Sequence, residues 1–165
     1  LKVALDTNIL AYAEGVNGIG KRDLALELVR SLPQGAVIIP VQVLGELFNV
    51  LTRKAGRSRA DAREVILEWR DAFSVIETTP EAMLAAADLA TDHHFGIWDA
   101  VILSVASQAG CRLLLSEDLQ DGFTWGGVTV VNPIASPGHA LLGRLLGRDD
   151  ARHGPGEQPS RPVPE

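Results

Sequence analysis

"VALDTNIL", residues 3–10, decides how the rest of the chain reads. Val3, Ala4 and Leu5 continue an apolar run from Lys2 that suits a short buried strand, and the run stops on Asp6, Thr7 and Asn8. An aspartate after a strand is a common turn former and helix N-cap. In open parallel sheets, however, ligands bind beyond the carboxyl ends of the strands, so the same aspartate could be part of a site. Which role applies depends on whether other strands end in the same way.

Three more runs match "KVAL" (2–5): the β-branched "AVIIP" (36–40) and "VTVV" (128–131), and the apolar "RLLL" (112–115). "FSVIE" (73–77) is a weaker fifth strand. "RLLL" runs through Ser116 and Glu117 into Asp118, so a second acid reaches the same edge of the sheet as Asp6. Helical patterns lie between the strands. Leu24, Leu28, Val29 and Leu32 form one face, and Leu44, Leu47, Phe48 and Leu51 another, at the i, i+3, i+4, i+7 spacing. A helix over 58–72 has Ser58 or Asp61 as its N-cap, and Pro80 opens the next at a first-turn position. "WDAVILSVASQ" (98–108) is apolar almost all the way round, which predicts a helix buried on most sides. Strands alternating with helices of this length predict an α/β fold. It is a three-layer α/β/α sandwich around a central parallel sheet of four to five strands.

With 165 residues, 46% of them hydrophobic, the chain has material for one compact domain and little for a second. That domain is expected over residues 1–132, followed by an appended short helix within 133–148 whose apolar side is Leu141, Leu142, Leu145 and Leu146. Residues 149–165, rich in proline, glycine and charge, read as a disordered tail. No stretch approaches the roughly 20 apolar residues of a membrane span, and the N-terminus has no secretory pattern, so a cytoplasmic protein is expected. The single cysteine, Cys111, reads as a small core residue. A net charge of −6 argues against holding nucleic acid by a general positive field, though not against a local basic rim. Six basic residues fall between Arg53 and Arg70, and the plainest reading of them is a solvated helix with pairs such as Arg57 with Asp61.

Two further acids stand out on helices. Glu46, in "VQVLGELFNVL", lies on the flank of its helix near Gln42 and Asn49. Asp99 opens a helix whose next seven residues are apolar or small, a setting where an ionised carboxylate needs donors or a cation. It is read either as an N-cap or as a ligand. Four acids brought together repel one another and raise each other's pKa, and a divalent cation relieves this. An all-oxygen set suits Mg²⁺ or Mn²⁺ and not Zn²⁺. His93 and His94 are neighbours that point about 100° apart on a helix, so they read as a helix end and not as a zinc pair. The phosphate-loop, dinucleotide, nucleophile-elbow and zincin motifs are all absent from the sequence.

Asp6-Thr7-Asn8 after the first strand, Glu46 on a later helix, Asp99 in "WDAVILSVA" and "LLLSEDLQDG" near the end together resemble the PIN-domain family. The resemblance is to the bacterial branch with the VapC-type ribonuclease toxins, and it covers roughly residues 2–131 with all four motifs in order. It implies the sandwich fold reached above and metal-dependent hydrolysis of RNA. Asp6, Glu46, Asp99 and Asp118 would be the metal-binding catalytic acids for Mg²⁺ or Mn²⁺. Thr7, Asn8 and Ser116 would orient those carboxylates or their waters. Asp121 is read as an extra ligand or as a turn residue before Gly122. The resemblance also implies an RNA substrate, a protein antitoxin and a homodimer. Two rivals stand beside it: a PIN-like module that binds RNA or protein without cutting, and a haloacid-dehalogenase-like phosphatase. The phosphatase needs a second acid two residues after the first, where this chain has Asn8.

Overall fold

In the computed structural model, residues 1–148 are described; the tail expected over 149–165 lies outside them. The strands are β1 (Val3–Leu5), β2 (Val37–Pro40), β3 (Ser74–Ile76), β4 (Leu113–Leu115), β5 (Thr124–Trp125) and β6 (Val128–Val131). The helices are α1 (Thr7–Ala13), α2 (Ile19–Ser31), α3 (Val41–Arg53), α4 (Arg59–Ala72), α5 (Pro80–His93), α6 (Ile97–Gln108) and α7 (Ala140–Leu145). They build one six-stranded sheet in the order β3-β2-β1-β4-β6-β5, flanked by helices in the α/β/α manner. All pairings are parallel except the last, where two-residue β5 returns against β6. The expected sheet of four to five strands is therefore present in full, with one short antiparallel edge strand added.

The order of the strands positions the site. β1 lies between β2 and β4, with Val3 opposite Val37 on one side and Leu113 on the other. From β1 the chain moves outward to β2 and β3. It then crosses back to β4 and continues outward on the opposite side to β6. The reversal falls between β1 and β4, and the crevice at such a switch point is where open α/β sheets bind ligands. Every residue of β1 and β4 is fully buried, which is why both read as continuous apolar runs instead of alternating ones. The Asp6 N–H bonds the Leu115 carbonyl at 3.0 Å and the Ser116 N–H bonds that of Val131 at 3.1 Å. The ladder thus extends one residue past each strand and fixes where the acids begin.

Local signals were mostly followed. Ser58 caps α4, its hydroxyl accepting the Asp61 N–H at 3.0 Å, and Thr79 caps α5 with Pro80 behind it. His93 ends α5, and His94 follows in the left-handed region at φ 58°. Cys111 is buried in the core, which pushes its thiol up to about 11. Three details differ from expectation. Helix α1 was not among the expected helices: Asp6, read as a turn former, an N-cap or a site residue, is the N-cap of this seven-residue helix, which is buried throughout. Asp99 is not an N-cap, since Gly96 holds that position and Asp99 sits in the first turn of α6. Arg57 does not pair with Asp61. It precedes α4 and binds Glu14 at the end of α1, at 3.2 Å to the carboxylate and 2.5 Å to the carbonyl, while the Trp69 indole N–H takes the other carboxylate oxygen at 2.9 Å.

Candidate functional site

Four elements bring the acids to the carboxyl edge. Asp6 arrives from β1, Asp118 follows β4, Glu46 lies in α3 and Asp99 in α6. Asp6 is the most deeply placed, 4% exposed, and both its oxygens accept hydrogen bonds. One oxygen takes the Thr7 N–H at 2.7 Å; the other takes the Ser116 hydroxyl at 2.6 Å and the Asn8 amide at 3.1 Å. The Asn8 amide also reaches Asp118 at 3.2 Å, and its carbonyl accepts the Glu117 N–H at 3.1 Å. The Ser116 hydroxyl in turn accepts the N–H groups of Asp118 and Leu119, each at 3.2 Å. Asn8 and Ser116 thus tie the two strand ends together through the acids themselves.

Glu46 is held from both sides. The Thr7 hydroxyl donates to one oxygen at 2.8 Å, and the Gln42 amide donates to the other at 3.0 Å. Gln42 is the contributor that the sequence reading passed over as a mere neighbour, although its i, i+4 spacing from Glu46 is the ordinary signal for such a pair. Lys21 was missed altogether. Its ammonium pairs with Glu117 at 2.6 Å and sits 4.6 Å from the centre of the Tyr12 ring, so Glu117 is neutralised beside the site and its carboxyl lies below the usual range. No local pattern links positions 21 and 117.

The electrostatics follow from this crowding. Burial raises the Asp6 carboxyl to about 6 against the opposing pull of Ser116 and the Thr7 N–H, and the charges of Asp99 and Glu46 raise it further. Asp99 is raised by burial first, then by Glu46 and Asp118, with no donor to offset them. The mutual repulsion runs through all four acids. Asp121 stands apart: it takes the Ser136 hydroxyl at 2.6 Å and the Asn132 N–H at 2.8 Å, which lowers its pKa and clamps the chain after β6. Both of its oxygens are thereby committed to that loop.

Among the described residues, no three or more His, Cys, Asp or Glu side chains are drawn into a preformed metal cage. The donor chemistry nonetheless fits a hard cation. The donors are carboxylate oxygens, the charges of neighbouring acids raise the pKa of Asp6 and of Asp99, and the two histidines ending α5 are exposed. The Ser116 hydroxyl can be tested directly. Ser116→Ala should push the Asp6 carboxyl above about 6, read from the pH titration of its side-chain carbon by NMR; an unmoved titration would show that the hydroxyl does not stabilise the charge.

The family model described as PIN domain matches residues 3–120. Among solved structures, Mycobacterium tuberculosis VapC20, a sarcin-ricin loop cleaving toxin, is 22% identical with a TM-score of 0.61, over 71% of this chain and 90% of that one. A toxin-antitoxin complex from Klebsiella pneumoniae is 19% identical with a TM-score of 0.60, over 80% of this chain and 98% of that one. VapBC2 from Rickettsia felis, bound to a DNA fragment from its promoter, is 16% identical with a TM-score of 0.58, over 79% and 97%. At these identities the likeness is one of fold. No curated protein matches the sequence.

Proposed function

This chain belongs to the PIN-domain family, and on that premise we propose that it is a divalent-metal-dependent endoribonuclease, the toxin of a type II toxin-antitoxin module. The observation that carries the reading is the set of four carboxylates, Asp6, Glu46, Asp99 and Asp118, gathered at the switch point of the sheet, where Glu46 and Asp99 act on Asp6, and Glu46 and Asp118 act on Asp99. These four would hold Mg²⁺ or Mn²⁺. A bound cation of this kind lowers the pKa of a water and offsets charge building on a phosphodiester. The remaining work belongs to the chain. Thr7 and Gln42 fix both oxygens of Glu46, so the carboxylate is oriented before any ligand arrives. Ser116, Asn8 and the Thr7 N–H hold Asp6 and stabilise its charge, keeping it ionised at neutral pH despite its burial. Asp99 has no such support and gains most from a cation. Asp121 is left out of the ligand set because it sits against the loop after β6, where His139 is the charge that acts on it and none of the four acids does.

The toxin role is supported by the fold shared with VapC20 and with the toxin-antitoxin complexes. It brings with it an antitoxin partner, a homodimer and a cytoplasmic setting. No described helix is long and apolar enough to cross a membrane. The decisive experiment incubates the purified protein with total RNA and Mg²⁺ or Mn²⁺ and maps the fragment ends. Discrete cuts that vanish with a chelator are expected; intact RNA at every metal concentration would overturn the reading. Light scattering and co-purification with the product of the adjoining reading frame test the dimer and the antitoxin.

A further inference from the structure

A groove of about 400 Å³ runs from the acids along the space between α1 and α3. Its size falls within the roughly 300–1,000 Å³ of ordinary ligand sites. Thr7, Asn8, Glu46 and Asp118 line one end. At the other end stand Asn17, Asn49 and Lys54, all exposed, with the aliphatic side chains of Val16 and Val50 beside them. The two ends differ in charge: one is acidic, and the other holds Lys54, the one cation that lines the groove among the described residues.

That cation is uncommitted. Arg57, three residues on, is spent on Glu14, and Lys21 is spent on Glu117, whereas Lys54 enters no ion pair among the described residues. The wall that carries Asn17 is also fixed in place. Glu14, three residues before it, is held by Arg57 and Trp69, so the turn after α1 is pinned to the segment between α3 and α4. Asn17 itself is locked into a left-handed turn at φ 66°. The groove therefore has one anchored rim.

We propose that this groove is a nucleotide subsite for single-stranded RNA, next to the scissile phosphate. Lys54 takes a backbone phosphate, and the Asn17 and Asn49 amides meet the edge of an unpaired base. An amide offers both a donor and an acceptor, as a base edge requires, and a lysine reads phosphate without regard to sequence. In a chain with a net charge of −6, a single cation at the end of an acidic slot also sets the direction in which a polyanion enters. The assignment deepens the ribonuclease reading and rests on it.

The test uses the full-length protein and a labelled single-stranded oligoribonucleotide. Binding is read by fluorescence anisotropy in a cleavage-blocked Asp99→Asn background across a salt series, and cleavage kinetics are read in the otherwise intact protein. Lys54→Ala should weaken binding about three- to tenfold for all sequences and reduce the slope of log affinity against log salt by about 0.7, the value for one phosphate on a single strand. KM should rise more than kcat falls. Asn49→Ala should leave the salt slope unchanged and alter the base preferred beside the cut. If the parent cuts RNA but both variants match it in affinity, salt slope and cut preference, the subsite is wrong and the ribonuclease reading stands. A parent that neither binds nor cuts RNA overturns both.

Discussion

Asp99→Asn is expected to lower RNA cleavage by about 10²–10³-fold, the loss typical of removing one preorganised electrostatic group from an active site. The chain should remain folded. Asp99 lies half-buried in the first turn of α6, its pKa raised by burial and by Glu46 and Asp118. It makes no hydrogen bond that the fold depends on, and α6 is capped at Gly96, so the isosteric amide deletes charge without deleting structure. Circular dichroism and thermal unfolding should match the parent, while calorimetry should show Mn²⁺ binding weakened or lost. Retained cleavage in the purified variant would remove Asp99 from the catalytic set.

Asp6→Asn is expected to do two things at once: abolish cleavage and, in metal-free protein at neutral pH, stabilise the fold. Asp6 has its pKa raised from 3.8 to about 6, so the folded chain binds its proton more tightly than the unfolded chain does. Stability contributed by the neutral carboxyl is complete below pH 3.8 and is lost as pH rises through about 6. At about 1.4 kcal/mol per pH unit, the ionised carboxylate costs on the order of 3 kcal/mol at pH 7 relative to acid. Asparagine removes that penalty, but its amide nitrogen must face either the Thr7 N–H or the Ser116 and Asn8 donors, so a net gain of at most about 1–2 kcal/mol is expected. For a chain of this size that is several degrees in Tm. The gain should shrink as pH falls towards 4. A variant that is less stable at pH 7.5, or whose difference from the parent does not change with pH, would contradict the burial argument. Bound Mg²⁺ or Mn²⁺ should reverse the ranking, because only the parent gains from the metal.

The sheet was legible because buried parallel strands leave unbroken apolar runs, and Val3–Leu5 and Leu113–Leu115 are buried on every side. The four acids were legible because each stands at the end of such a run or on a helix flank, in an order that resembles a known family. Helix α1 was not legible. All seven of its residues are buried, so it has no polar face to set a 3.6-residue rhythm, and Asp6-Thr7-Asn8 reads equally well as a turn. β5 has only two residues, too few for any pattern. The partners of Arg57 and Lys21 were hidden for a different reason. Each reaches an acid 43 or 96 positions away, and local spacing offers only near neighbours such as Asp61.

The bonds from Ser116 to Asp6 and from Asn8 to Asp118 each span 110 positions. During synthesis β1 emerges first, and β2 and β3 can join it while the β4 side of its edge stays open. Contacts this distant close slowly and late. The proposed centre is therefore completed late. Until position 118 has left the ribosome, Asp6, Glu46 and Asp99 lack the Ser116 and Asp118 side chains that tie the strand ends together, so the set of four closes only when β4 has joined β1.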